Sequence, residues 1–275
     1  MRAEGHFVLA ALDRGLGTPA VQRVAAVVAE HFRLPVRFVH VTTGPGPRGA
    51  ARQAATARVE RGETDELTGR PVDILTGLVE SPRTAMAVFG TGSPLERPSP
   101  KRPSGTAFAV ARRVTRSMLL VPPSLAHWDG PRRVLVPLDG TGVTALAASA
   151  ALAELREPDT VATTVHVVEH GTVAALGDDA PQRMEALRSE LRDRYQGALG
   201  EGLEVRTGQV AAHLTDMAAS DGFDMVVVVW SQQTRGGRAA VVADLLARTA
   251  IPILLVPATS VAHTLGGGAA AGFGE

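Results

Sequence analysis

The chain has no cysteine. That absence excludes disulfides, thiolate-ligated zinc, iron–sulfur clusters and a thiol nucleophile together. Net charge is missing too: 28 Lys and Arg stand against 28 Asp and Glu. No global pull toward nucleic acid or an anionic membrane is therefore expected. Lysine is nearly absent, Lys101 being the one lysine among the basic residues. With the abundance of Ala and Gly, this reflects a GC-rich genome rather than function. No apolar run approaches the ~18 residues of a membrane span; the run from Met225 to Trp230 is strand-sized. No basic segment followed by an apolar stretch and a small-residue cleavage site opens the chain, so a cytoplasmic protein without a signal peptide is expected. What remains is ordinary for a globular protein. With 275 residues, 45% of them hydrophobic and 20% charged, the chain has room for roughly two domains.

Internal repetition is the strongest pattern present. Residues 7–13 read FVLAALD and 133–139 read RVLVPLD. Residues 36–41 read VRFVHV and 162–167 read ATTVHV. Asp13 and Asp139 are separated by 126 residues, as are His40 and His166. The segments SMLLVP (117–122) and PILLVP (252–257) follow in the same order at a slightly longer interval. Three landmarks in one order argue for a duplication. SLAHWDGP (124–131) carries turn-forming residues and reads as the linker.

Strand and helix patterns alternate between these landmarks. In the second half, strands are predicted at 134–138, 161–168, 203–207, 224–230 and 253–256. Helices between them are marked by Ala145, Ala148, Leu152 and Leu155; by Met184, Leu187, Leu191, Tyr195 and Ala198; by Val210, Leu214, Met217 and Ala218; and by Val242, Leu245 and Leu246. Such alternation means parallel βαβ units with right-handed crossovers, an α/β fold. The first half follows the plan with its third strand read at 72–76 and its fourth at 84–89. Only 78–83 then joins those strands, so about one helix is missing there. Residues 44–70 are weakly patterned, with a helix suggested at 50–61. The tail from Thr259 is Gly/Ala-rich and reads as disordered.

These residues resemble the universal stress protein family, in tandem form. The resemblance rests on the strand-Asp ends (LAALDR, LVPLDG), the two HV strand ends and the closing blocks of each half. Those blocks are GFDMVVVVW, SQQTRGG and VVADLLARTAIPILLVP in the second half, and TAMAVFGTGS and GTAFAVARRVTRSMLLVP in the first. It covers nearly all of 132–257, and 6–42 and 71–122 in the first half. The implied architecture is two tandem doubly wound five-stranded parallel sheets, each in the Rossmann-like order 3-2-1-4-5 of the adenine nucleotide alpha hydrolases. The implied domains are 1–123, short of a helix and with a long Pro-rich loop, and 132–257, followed by a tail at 258–275. The matched LLVP segments are expected to pair, giving an internal pseudo-dimer and covering two sheet edges. A further homodimer is an additional expectation.

The resemblance also implies a crevice where the first and fourth strands part, which in many family members holds ATP. There, glycines let backbone N–H groups approach phosphates without a Cβ in the way, and a following helix start favours an anion. In the first half this places Asp13, Val41, Gly90, Ser93, Gly105 and Thr106 as nucleotide contacts, Ser93 standing where the pattern has glycine. The loop 94–104 is longer than the pattern's and holds four prolines beside Arg97, Lys101 and Arg102. One reading is a remodelled phosphate loop; the other is a Pro-stiffened surface loop, because prolines remove the N–H donors a phosphate loop supplies. In the second half Asp139 is kept as a further candidate nucleotide contact, but Ser231, Thr234 and Ala240-Val241 replace the rest of the pattern. A β-branched Thr forced to positive φ costs roughly 1–2 kcal/mol, so a partner role suits this half better than nucleotide binding.

Weaker signals point elsewhere. Gly15, Gly17 and Ala20 meet a local dinucleotide form, yet HVTTG after the second strand offers no acid for a ribose. Thr18 and Pro19 read as N-cap and first helical residue. His40 and His166 read as structural residues at the crevice rim. His166 and His170 lack a third ligand, so no metal site is expected. Asp221 and Asp224 read as a turn. With no nucleophile beside a base, the expectation is a non-enzymatic stress-response protein with ATP as its one candidate cofactor. Two alternatives stay open: a nucleotide-independent interaction module and a weak ATP hydrolase.

Overall fold

The structure, a computed structural model, describes residues 5–13, 17–43, 64–91, 105–174, 179–195, 202–232 and 237–258. Each half threads strands and helices alternately. The first runs β1 (Phe7–Leu12), α1 (Thr18–Phe32), β2 (Val36–Thr42), β3 (Thr64–Thr68), α2 (Pro71–Val79), β4 (Thr84–Gly90), α3 (Thr106–Ala111) and β5 (Met118–Val121). The second runs β6 (Arg133–Pro137), α4 (Gly142–Leu155), β7 (Val161–Val168), α5 (His170–Ala174), α6 (Ala180–Tyr195), β8 (Leu203–Thr207), α7 (Val210–Ser220), β9 (Met225–Trp230), α8 (Gly237–Arg248) and β10 (Ile253–Pro257). No helix among the described residues is long and apolar enough to cross a membrane.

The strands order as β3-β2-β1-β4-β5-β10-β9-β6-β7-β8. Each half therefore has the order 3-2-1-4-5, as its resemblance implied, with parallel pairing throughout. The halves meet edge to edge, where β5 and β10 pair antiparallel: Leu120 with Ile253, Leu119 with Leu254, Met118 with Leu255. Two five-stranded sets thus make one sheet with a single change of direction at its centre.

Helices cover both faces, which explains why the central strands are near-continuous apolar runs rather than alternating ones. On one face Val8, Ala10, Leu119, Leu254 and Val227 pack with α1 and α4. On the other, Leu9, Phe89, Leu120, Leu255 and Trp230 pack with α2, α3 and α7. All four apolar positions read along the first helix of the second half, Ala145, Ala148, Leu152 and Leu155, are buried.

One sequence reading of the first half needs correction. Residues 72–76 are not the third strand; they lie inside α2, whose Ile74, Leu75, Leu78 and Val79 bury one helical face behind Pro71 in the first turn. Proline there is the helix signal, since its missing N–H would be unpaired anyway. The third strand is the polar TDELT of β3. The first half consequently has its helix between third and fourth strands. The linker packs against both halves. Leu125 and Trp128 are buried, the Trp128 indole donates to the Asp224 carbonyl at 3.0 Å, and Arg23 donates to the Leu125 carbonyl at 2.7 Å. Asp224 does more than turn the chain: its carboxylate accepts from the N–H groups of Arg132 and Arg133 at 3.0 Å each. The suggested helix at 50–61 and the tail from residue 259 lie outside the described residues.

Candidate functional site

β1 lies between β2 and β4, and the chain leaves β1 and β4 in opposite directions across the sheet. The strands part at their carboxyl ends and open a crevice, the usual ligand position in an open α/β sheet. Leu12 pairs with His40 and Ala11 with Phe89. Asp13, Val41 and Gly90 therefore come together at one mouth. Gly105 and Thr106 head α3, the helix that leads from that edge back to β5. Ser93 lies outside the described residues.

Asp13, Gly90 and Gly105 also have structural tasks. Thr18 donates its hydroxyl to the Asp13 carbonyl and faces Asp13 Oδ1 at 3.2 Å. The threonine is thereby drawn away from capping: the N-cap of α1 is Gly17, and no side chain caps the helix. A Cβ at Gly90 would meet the Val21 methyl on α1 at 3.3 Å, so this glycine lets helix and strand approach. Gly105 sits at φ +133, a conformation L side chains rarely adopt, with nothing within 4 Å of a built Cβ. His40 donates Nδ1–H to the Leu12 carbonyl at 3.0 Å.

The second half repeats this frame and adds side-chain contacts to it. His166 donates Nδ1–H to the Leu138 carbonyl, also at 3.0 Å. Asp139 Oδ1 accepts from the Thr141 N–H at 2.9 Å, the Thr141 hydroxyl at 2.8 Å and the Thr144 hydroxyl at 2.7 Å. The pairs Asp13–Thr18 and Asp139–Thr144 hold matching places in the repeat. Gly140, at φ +94, passes under the His166 ring, whose Cε1 lies 3.5 Å from a built Cβ. From α6, Arg194 donates to the Gly140 carbonyl, and Tyr195 is buried beside Gly140 and Asp139. Burial is the main cause that pushes the Tyr195 phenol up to about 12; the Asp139 charge adds to it, while the Gly140 backbone and Arg194 oppose it.

Sequence reasoning placed Tyr195 on a buried helix face but missed its position against Asp139. Nothing in helical spacing alone says which strand end a helix terminus will meet. Thr141 and Thr144 carry a more legible signal, a short-range cap after a strand-end Asp. Among the described residues no group of three His, Asp or Glu side chains is placed to hold a metal ion.

Residues 130–257 match the universal stress protein family. The second crevice, with Asp139 and Tyr195, falls inside the universal stress protein match, and the first crevice lies outside it. No curated protein matches the chain. Among solved structures, the chain is similar to a functionally unknown protein from Pseudomonas aeruginosa PAO1, with a TM-score of 0.61 at 10% identity, over 95% of this chain and 96% of that one. It is also similar to a universal stress protein from Archaeoglobus fulgidus DSM 4304, with a TM-score of 0.58 at 13% identity, over 92% and 96%. At such identities the likeness is one of fold, and it spans both halves.

Proposed function

We propose that the chain is a tandem universal stress protein whose first half takes an adenine nucleotide and whose second half supports it. The observation that carries this reading is the contrast between the two strand-end crevices. In the second, Tyr195 and Arg194 close on Gly140, and Asp139 is committed to Thr141 and Thr144. In the first, Asp13 faces the Thr18 hydroxyl at 3.2 Å but stays exposed at the mouth it shares with Val41 and Gly90. The first mouth is thus the candidate for Asp13 and Val41 to meet a base and ribose, with Gly90, Ser93, Gly105 and Thr106 toward the phosphates. Asp139 marks the equivalent place in the supporting half. The protein so read is a cytoplasmic, non-enzymatic stress-response protein built as an internal pseudo-dimer.

Calorimetric titration with ATP tests the reading. The wild type is expected to bind with micromolar affinity, about −8 kcal/mol. Asp13→Ala should bind about tenfold more weakly, a difference of about 1.4 kcal/mol, while Asp139→Ala leaves affinity unchanged. A wild type that gives no binding heat and releases no nucleotide on denaturation defeats it.

One observation favours a second reading, a nucleotide-independent interaction module. Gly90 has a packing reason and Gly105 a backbone reason to be glycine without any phosphate. Tight, Asp13-dependent ATP binding would remove that alternative. A weak ATP hydrolase has no such support, and absence of ADP formation above a buffer control disposes of it.

A further inference from the structure

The residues after β9 correspond in the repeat to those after β4, yet the two segments behave differently. In the first half Thr91 stays at home: its N–H donates to the Val121 carbonyl at 3.0 Å, and its hydroxyl faces the same oxygen at 3.4 Å. In the second half Gln232 crosses the joint. Its side-chain amide donates to the Ala111 carbonyl at 2.9 Å and to the Val114 carbonyl, both at the carboxyl end of α3 in the first half.

Three further facts bear on this contact. Gln232 has φ 62, a left-handed conformation that only Gly, Asn and Asp visit readily. A residue held there against its preference implies surroundings that over-determine it. Trp230, two residues earlier and almost wholly buried, stacks on Phe108 of α3 with ring centroids 5.0 Å apart and planes at 23°. Finally, α3 has only six residues, too few to persist without tertiary support. Past its end, the N–H groups of Arg112, Arg113 and Val114 turn back to Phe108 and Val110. Gln232 supplies the donor for the Ala111 and Val114 carbonyls.

We propose that Gln232, from the second half, is a positioning residue for α3 of the first. By clamping the carboxyl end of a short helix, it fixes where the opposite end presents Gly105 and Thr106 to the first crevice. The second half's strand-end segment has been turned from its own crevice to hold a part of its neighbour's. The link to ligand binding rests on the nucleotide reading above; the clamp itself does not.

The full-length wild type is compared with Gln232→Gly and Gln232→Asn. Glycine accepts the positive φ and removes the amide. Asparagine tolerates the same φ but is one methylene too short to reach both carbonyls, so both variants keep the backbone path while losing the clamp. Amide hydrogen exchange over residues 106–114 is expected to quicken at least tenfold in both, with exchange in β6, β7 and β8 unchanged. Unchanged exchange over 106–114 overturns the proposal whatever ATP does. ATP titration then separates the two claims. If the wild type binds, weakening of five- to tenfold in the variants upholds the link to the crevice, and equal affinity overturns that link. If the wild type does not bind, the nucleotide reading fails, and the clamp stands or falls by the exchange result.

Discussion

Tyr195 is the chain's single tyrosine, so phenolate absorbance reports it alone. Burial holds its phenol up to about 12, above the unfolded value near 10. Between these two values the unfolded chain ionises while the folded one keeps its proton. Stability should therefore fall as pH rises through that window. Tyr195→Phe should lack this loss, checked by urea unfolding at pH 9 and pH 11. Asp224 works by the same logic at the other end of the scale. Burial raises its carboxyl, and the N–H groups of Arg133 and Arg132 and the Arg132 charge pull it back. The net shift is upward, so the folded state keeps this proton to a higher pH than the unfolded chain does. Lowering the pH from 7 toward 4.5 should strengthen the wild type relative to Asp224→Asn. Asp224→Ala, which strips two backbone N–H groups of their acceptor, should cost about 1–3 kcal/mol at neutral pH.

Elements were legible in proportion to how much of their pattern is local. β7 and β8 fall on their predicted bounds, and α7 buries Leu214, Met217 and Ala218 as its spacing demanded. The first half misled because its cues conflict. Residues 72–76 read as the third strand, while the true strand, TDELT, alternates exposed and half-buried residues at a sheet margin and offers little apolar signal. Margin strands need no second covered face, so apolar content does not find them. The crevice residues split in the same way. The places of Asp13, Val41, Gly90 and Asp139 at strand ends were legible because strand order sets them. Tyr195 and Gln232 were not, because a helix terminus and a side chain crossing between halves depend on the assembled sheet. The joint itself is testable as an element. Leu254 is fully buried against Leu119, and Leu254→Ala should cost about 2–5 kcal/mol in chemical denaturation.

At the scale of the molecule, the repeat predicts where like meets like. Leu119 and Leu254 hold the same place in SMLLVP and PILLVP, and they pair at the joint. His31 and Glu157 are again 126 residues apart, and they too touch, His31 Nδ1 lying against Glu157 Oε1. His31 Nε2 sits 2.9 Å from the Glu154 carbonyl. Equivalent positions can meet only on a two-fold axis, so both contacts fit the internal pseudo-dimer proposed above. A symmetric dimer would face His with His or Glu with Glu there; a single chain can place one of each. His31→Glu should destabilise the protein, and adding Glu157→His should restore most of the loss. The recoverable part is about 0.2–1 kcal/mol for a partly exposed pair, read by urea denaturation of both variants. The outer margins, β3 and β8, carry Asp65, Glu66, Glu204 and Arg206, charges that discourage further strand addition.

The reversal between β5 and β10 has a consequence for traffic around the protein. Because strands on either side of it run oppositely, the mouths after β1 and β6 face away from each other, toward opposite rims. Anything bound at the first mouth therefore sits on the rim away from Tyr195 and Asp139, out of direct reach of the strand end after β6.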